Sequence, residues 1–199
     1  MSKAKTKLYD QAYFERWYRG RNPSHPQPLA RKVALAVAMT ELHLGRPIRT
    51  VLDIGCGEAP WRKALLKLRP NLQYQGVDAS EYVVRRYGRS RNIALASFGQ
   101  MQQLRIGPPA DLLVCADVMH YVPGAELKRG LQGFAELCAG VAYLDVFCRE
   151  DAITGDFKGF IARSAGQYRT LFTQAGFTAM GSHCYLSPQC DVPVSALER

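Results

Sequence analysis

The apolar run Val51-Leu52-Asp53-Ile54 stops in Gly55-Cys56-Gly57, and Pro60 follows shortly after. A buried strand that breaks in glycines and hands over to a helix commits a chain to an α/β layout and leaves backbone that a ligand can approach closely. Gly55 and Gly57 lack a Cβ and adopt φ > 0 at little cost, and Pro60 suits a first helical turn, where its missing N–H would be unpaired anyway. About twenty residues on, Tyr74-Gln75-Gly76-Val77 ends in Asp78, where a carboxylate can accept hydrogen bonds from both hydroxyls of a ribose. Strand, glycine turn, helix, strand and acid together describe a pocket for a nucleoside.

The rest of the chain keeps the same rhythm. Hydrophobic periodicity predicts strands near 50–54, 73–77, 92–96, 111–115 and 140–147, with helices near 60–69, 80–88, 124–138 and 165–175. Alternation of this kind gives a mostly parallel sheet covered on both faces. Residues 148–164 are polar and glycine-bearing and are expected to form a loop or lid, while 177–186 and 192–197, with Pro188 between them, are expected to close the sheet as an antiparallel hairpin. Ahead of the glycine turn, residues 1–8 are lysine-rich and expected to be disordered. A helix is predicted from the N-cap Asp10 to about Arg19, bearing Tyr13, Phe14, Trp17 and Tyr18 at helical spacing after Tyr9. The stretch from Arg21 to Pro28 breaks it, and a second helix is predicted over 29–44. The organisation expected is an N-terminal arm with two helices over 1–44, acting as lid or cap, and a Rossmann-like domain over 45–199.

A chain of 199 residues with 47% hydrophobic residues suits a single domain with a full core. No run approaches the roughly eighteen apolar residues that a membrane span needs, and the lysine-rich start is followed by no apolar segment of signal-peptide length, so the expected location is the cytoplasm. The six cysteines show neither a C-x-x-C pair nor zinc-ligand spacing and read as reduced, mostly buried thiols. Charge is lopsided: residues 1–110 carry 19 basic and 7 acidic side chains, residues 111–199 carry 7 and 10. The Arg85-Arg86, Arg89, Arg91 cluster falls in the positive half, where it is either a solvated helix face or a footprint for an anionic partner.

Val51 to Gly57, followed by Asp78, resembles the first two motifs of the class I S-adenosylmethionine-dependent methyltransferases, in which an Asp opens a D-x-G-x-G loop beneath the cofactor. Asp111 to Val122 looks like that family's fourth strand and following loop, and Tyr168 to Phe177 is similar to its late helix with an Ala-Gly-Phe ending, so the likeness covers residues 45 to 186. Two positions depart from the pattern. Ala59 replaces the third glycine, and Gln100 stands in a stretch, Phe98-Gly99-Gln100-Met101, where an Asp commonly reads the adenine amino group.

The resemblance implies a three-layer, doubly wound, mostly parallel seven-stranded sheet with a C-terminal antiparallel hairpin. It implies S-adenosyl-L-methionine as cofactor and S-adenosyl-L-homocysteine as product, held by Asp53, Gly55, Cys56, Gly57, Asp78, Ala79, Gln100, Met101 and Asp117. Asp53 is expected to pin the loop by accepting backbone N–H bonds and to lie near the cofactor's amino group. His120, just past the fourth strand, is the candidate general base, its imidazole titrating near neutrality. Tyr13, Trp17, Tyr121 and Arg149 are the candidate acceptor contacts, with Tyr9, Lys158 and Arg163 nearby. The acceptor expected is a small molecule, methylated by direct in-line displacement, for which positioning supplies much of the acceleration and a base is needed only if the acceptor must lose a proton.

Three other readings are open at this point. A nucleic-acid methyltransferase, of RNA or DNA, would draw on the basic half, although Asp117-Val118-Met119-His120 is not the Asn- or Asp-Pro-Pro-Tyr of enzymes that methylate base amines, and no Pro-Cys pair occurs. A nicotinamide dehydrogenase would want G-x-G-x-x-G, and Pro60 occupies its third glycine. A non-catalytic S-adenosylmethionine-binding module would keep the fold without turnover.

Overall fold

The computed structural model describes residues 9–18, 29–152 and 156–191, the side chains of Trp17 and Tyr18 excepted. The expected disorder of 1–8, the break over 21–28 and a strand at 192–197 lie outside the described residues. Seven strands, β1 (Thr50–Ile54), β2 (Gln73–Asp78), β3 (Ile93–Leu95), β4 (Ala110–Ala116), β5 (Cys138–Asp145), β6 (Thr178–Gly181) and β7 (Cys184–Leu186), form one sheet in the order β3-β2-β1-β4-β5-β7-β6. β1 to β5 pair in parallel, and β7 runs antiparallel between β5 and β6. Strand order reverses between β1 and β4, which opens a crevice at their carboxyl ends.

Among the described residues six α-helices cover the sheet: α1 (Gln11–Tyr18), α2 (Leu29–Leu44), α3 (Pro60–Leu68), α4 (Glu81–Arg91), α5 (Gly124–Leu137) and α6 (Ala165–Gln174). Period-two alternation along the strands sends side chains to two separate cores. Leu52, Ile54, Leu113, Cys115, Ala142 and Leu144 join Phe134, Tyr168 and Phe172 of α5 and α6. Val51, Leu112, Val114, Val141 and Tyr143 join Phe14, Val33, Trp61 and Val83 of the first four helices. Helix α2 therefore packs on β4 and β5 as part of the same core as α3, whatever its place in the chain.

Local chemistry sets the element ends. Ser80 caps α4 by accepting from the Val83 amide at 3.3 Å, and Ser164 with Gln167 forms a reciprocal capping box at the start of α6. A second box, Ser97 with Gln100, starts a one-turn 3-10 helix over Phe98–Gln102 that the hydrophobic pattern does not predict. The hairpin differs from expectation: both its arms lie within 177–186. Ser182 and His183 each take a left-handed conformation, φ 49 and 66, which suits the twist of a two-residue hairpin turn, and no Asn-Gly or Asp-Gly pair in the sequence announces it.

Candidate functional site

The loop after β1 is fastened to the end of β2. The amides of Gly55 and Cys56 donate to the Val77 carbonyl at 2.7 and 3.1 Å. The amide of Gly57 donates to one carboxylate oxygen of Asp78 at 2.7 Å, and the other oxygen accepts from Ser80 N at 2.8 Å. Gly55 and Gly57 take φ of 69 and 51, and Ala59, N-cap of α3, also sits in the left-handed region at φ 56. That conformation costs a residue with a Cβ about 1–2 kcal/mol, so the alanine in place of the third glycine is held there by its surroundings. Burial raises the Asp78 carboxyl above its ordinary value, and its two backbone donors oppose the shift.

A cavity of about 480 Å³ opens at the strand-order reversal. Gly55, Gly57, Asp78 and Ala79 from the first two strand ends line it together with Asp117 and Val118 after β4. Tyr9, Tyr13 and Tyr121 add three phenols, and Ala96, Ser97 and Phe98 reach it from the turn after β3. Asp117 is strained, with φ 61, and its amide donates to the Asp145 carbonyl at 3.0 Å. A non-glycine residue forced into that region beside a cavity is characteristic of functional sites. Contacts that hold α1 and the residue before its cap over the opening include Ser80 Oγ, which donates to the Tyr9 carbonyl at 2.5 Å, and Phe14, which stacks on Tyr82 at 5.8 Å. Burial pushes the Tyr9 phenol up to about 12, and the Tyr13 and Tyr121 phenols are raised as well, so all three remain protonated near neutral pH.

Several residues chosen from the sequence lie outside this cavity's lining. Asp53 is 3% exposed, on the opposite side of β1 from α5, where its carboxylate accepts from the Tyr74 hydroxyl at 2.7 Å. Burial pushes its carboxyl up to about 7, the Tyr74 bond opposing. Cys56 packs against Tyr74 and Gly76, with burial driving its thiol far above the usual range. Gln100 bends back to accept from Ser97 N at 2.7 Å, and Met101 is fully buried in the α5 core. The side-chain carbonyl expected to reach adenine is thus spent on capping its own turn. Arg149 is exposed and pairs with Glu150 at 3.5 Å.

His120 is 2% exposed, its ring among those of Tyr121, Phe147 and Phe160 with centroids 4.2, 5.4 and 5.5 Å away. Its Nδ1 receives a long 3.5 Å contact from Phe147 N, and its carbonyl accepts from Ile161 N at 2.8 Å. The turn it occupies, Met119–Tyr121, is closed by Arg163, whose guanidinium donates to the carbonyls of Met119 and Val122 at 3.1 and 2.6 Å. Tyr121 Oη donates to the Asp156 carbonyl at 2.9 Å, and Lys158 N donates to the Asp156 carboxylate at 2.9 Å. Arg163 is therefore a brace of the post-β4 turn. The side chain of Trp17 lies outside the described residues. Lining residues that the sequence did not single out are Val118, Val122, Pro123 and Glu126 after β4 and Ala96, Ser97 and Phe98 after β3. Their only signal is position, at carboxyl ends of parallel strands.

Residues 52–141 match the family model described as a methyltransferase domain. No curated protein sequence matches the chain. An O-methyltransferase family protein from Burkholderia thailandensis superposes with a TM-score of 0.52 at 16% identity, covering 79% of this chain and 56% of its own. A sugar N-methyltransferase from Streptoalloteichus sp ATCC 53650 gives 0.56 at 20%, covering 78% and 63%. A SAM-bound amino pentose methyltransferase from Micromonospora echinaspora gives 0.64 at 16%, covering 90% of this chain and 97% of its own. The chain thus spans somewhat more than half the length of the first two. These likenesses show the class I methyltransferase fold, and the stretch matched by the family model contains the glycine loop, Asp78 and Asp117. No helix among the described residues is long and apolar enough to cross a membrane.

Proposed function

We propose that this protein is an S-adenosylmethionine-dependent methyltransferase that methylates a small-molecule acceptor by direct in-line displacement and releases S-adenosylhomocysteine. The observation that carries the reading is the convergence of Gly55, Gly57 and Asp78 on one cavity shared with Tyr9, Tyr13 and Tyr121. A Cβ on Gly55 would lie 2.3 Å from Val118 Cγ2, so the bare backbone there is what leaves the cavity floor open. The SAM-bound amino pentose methyltransferase and the sugar N-methyltransferase support both the cofactor and an acceptor of modest size.

When bound, the cofactor supplies a methyl already activated on a sulfonium. The protein's share is to hold, orient and dry the site. Each Asp78 oxygen accepts one backbone N–H, which fixes the carboxylate and leaves a further lone pair on each oxygen for the two hydroxyls of a ribose. Phe14, Val118 and Val122 exclude water, and the protonated phenols of Tyr9, Tyr13 and Tyr121 act as hydrogen-bond partners rather than bases. Of the three lining carboxylates, Asp78 is held by Gly57 N and Ser80 N and Glu126 accepts from Gly99 N, and Asp117, at the end of the fourth strand, is the one assigned to take a proton from an acceptor hydroxyl or ammonium. His120 holds the 119–122 turn against the 156–163 segment in this reading and is given no proton to carry.

The test is calorimetric titration of S-adenosylhomocysteine into the full chain and into Asp78→Ala, followed by incubation with labelled S-adenosylmethionine and fractionated cell extract. Binding by the natural protein, an affinity loss of at least tenfold in the variant and label in the small-molecule fraction are expected. Label in nucleic acid would replace the acceptor class by the alternative drawn from the basic N-terminal half, and binding without transfer to any fraction would leave a non-catalytic module. No binding to the natural protein would overturn the proposal entirely.

A further inference from the structure

Helix α4 carries Arg85, Arg86, Arg89 and Arg91 against one carboxylate, Glu81. Arg91 is engaged: it donates to the Glu58 carbonyl, lies 4.0 Å from the Glu58 carboxylate and sits 3.9 Å from the centroid of the Tyr87 ring. Elsewhere guanidinium groups pair with carboxylates, Arg46 with Asp111, Arg69 with Glu41, Arg105 with Glu136. Arg86 approaches only the Tyr87 ring, at 5.8 Å, and Arg85 has no hydrogen bond or ion pair among the described residues.

These two arginines, both exposed, share one surface depression. With Gln11 and Tyr82 they line a cleft of about 420 Å³ between α1 and α4, separate from the nucleoside cavity. Tyr82 forms its boundary with the rest of the protein by stacking on Phe14, which itself lines the nucleoside cavity. Gln11 gives its amide nitrogen to Glu15, one turn further along the same face of α1, at 2.8 Å. Neighbouring guanidinium groups repel each other, and no carboxylate among the described residues forms an ion pair with either of them. An anion would neutralise the pair.

Two guanidinium groups offer about ten N–H donors in planar forks, more than the roughly four lone-pair sites of one carboxylate can accept, whereas a phosphate group presents three oxygens to both forks at once. We propose that the cleft between α1 and α4 is a second binding site that takes a phosphate group, distinct from the methyl-transfer cavity. The proposal goes beyond the methyltransferase reading and stands without it.

Inorganic diphosphate is titrated at low ionic strength into the full chain and into the double variant Arg85→Gln/Arg86→Gln, with thermal melting of both as the folding control. Both side chains are exposed, so the variant is expected to melt like the natural protein. Binding that weakens at least tenfold in the variant supports the site. A mixed-sequence ten-nucleotide RNA is then used as competitor. Displacement of diphosphate, with an affinity that falls steeply with salt, assigns the phosphate to a polynucleotide backbone. Diphosphate binding that RNA does not compete with assigns it to a free phosphate ester. No diphosphate binding at millimolar concentration, or equal affinity in the two proteins, overturns the proposal.

Discussion

Gly55 shows how a single hydrogen in place of a methyl can govern a ligand site. Its φ of 69 would strain any other residue, and a Cβ would meet Val118 Cγ2 at 2.3 Å, displacing a side chain that lines the cavity. Gly45 separates these effects, since its φ is 62 and nothing lies within 4 Å of a Cβ placed there. Gly55→Ala and Gly45→Ala should therefore both lose about 1–2 kcal/mol of stability from backbone strain, read as a lower melting temperature. Only Gly55→Ala should also weaken S-adenosylhomocysteine binding, by tenfold or more, in a calorimetric titration. Equal affinities in the two variants would show that the Val118 contact does not shape the site. The glycine and its turn are legible in the sequence because glycine is the residue such a backbone needs. The clash partner is not, because it comes from a loop about sixty positions away whose approach only the folded sheet defines.

The elements themselves were mostly legible, because periodicity and capping residues report local physics. Helices α2 to α6 and all five parallel strands lie within a few residues of their expected places. What escaped was decided by competition among neighbours: Gln100 has an amide suited to adenine, and the Ser97 capping box takes it instead. His120 has the right residue type at the right strand end, yet the aromatic rings of the 147–160 segment enclose it. Ser80 is the reverse case, an ordinary N-cap that also ties α1 across the cavity through Tyr9. Ser80→Ala should cost about 1 kcal/mol from loss of the cap. It should also make the α1 segment more susceptible to limited proteolysis at Arg16, a change that a cap removed elsewhere, as in Ser164→Ala, would not produce. Unchanged cleavage would mean that Phe14 and Tyr82 suffice to dock the helix.

At the scale of the whole molecule, two buried carboxylates on the same sheet pull stability in opposite directions with pH. Asp111 accepts from Arg46 at 2.7 and 3.0 Å and from Arg49 N at 2.6 Å. Burial opposes, but these donors prevail and hold its carboxyl below the usual 3.8. Its contribution is therefore present above that value and is lost as pH falls through the folded value. Asp53 has the opposite sign: burial lifts its carboxyl from 3.8 to about 7 in the folded chain. The unfolded chain releases that proton first as pH rises, so stability falls between about 4 and about 7 and levels off once the folded group has ionised too. Asp53→Asn keeps an acceptor for the Tyr74 hydroxyl and removes the titration. Its melting temperature should then decline less than that of the natural protein between pH 4 and pH 8, the difference at pH 8 being on the order of 2–4 kcal/mol in stability. Parallel melting curves for the two proteins over this range would contradict the buried environment assigned to Asp53, with the Tyr74 hydroxyl as its donor. They would point instead to a cation or donor reaching it from the ligand side of the glycine loop, which would return Asp53 to the cofactor site that the sequence pattern suggested.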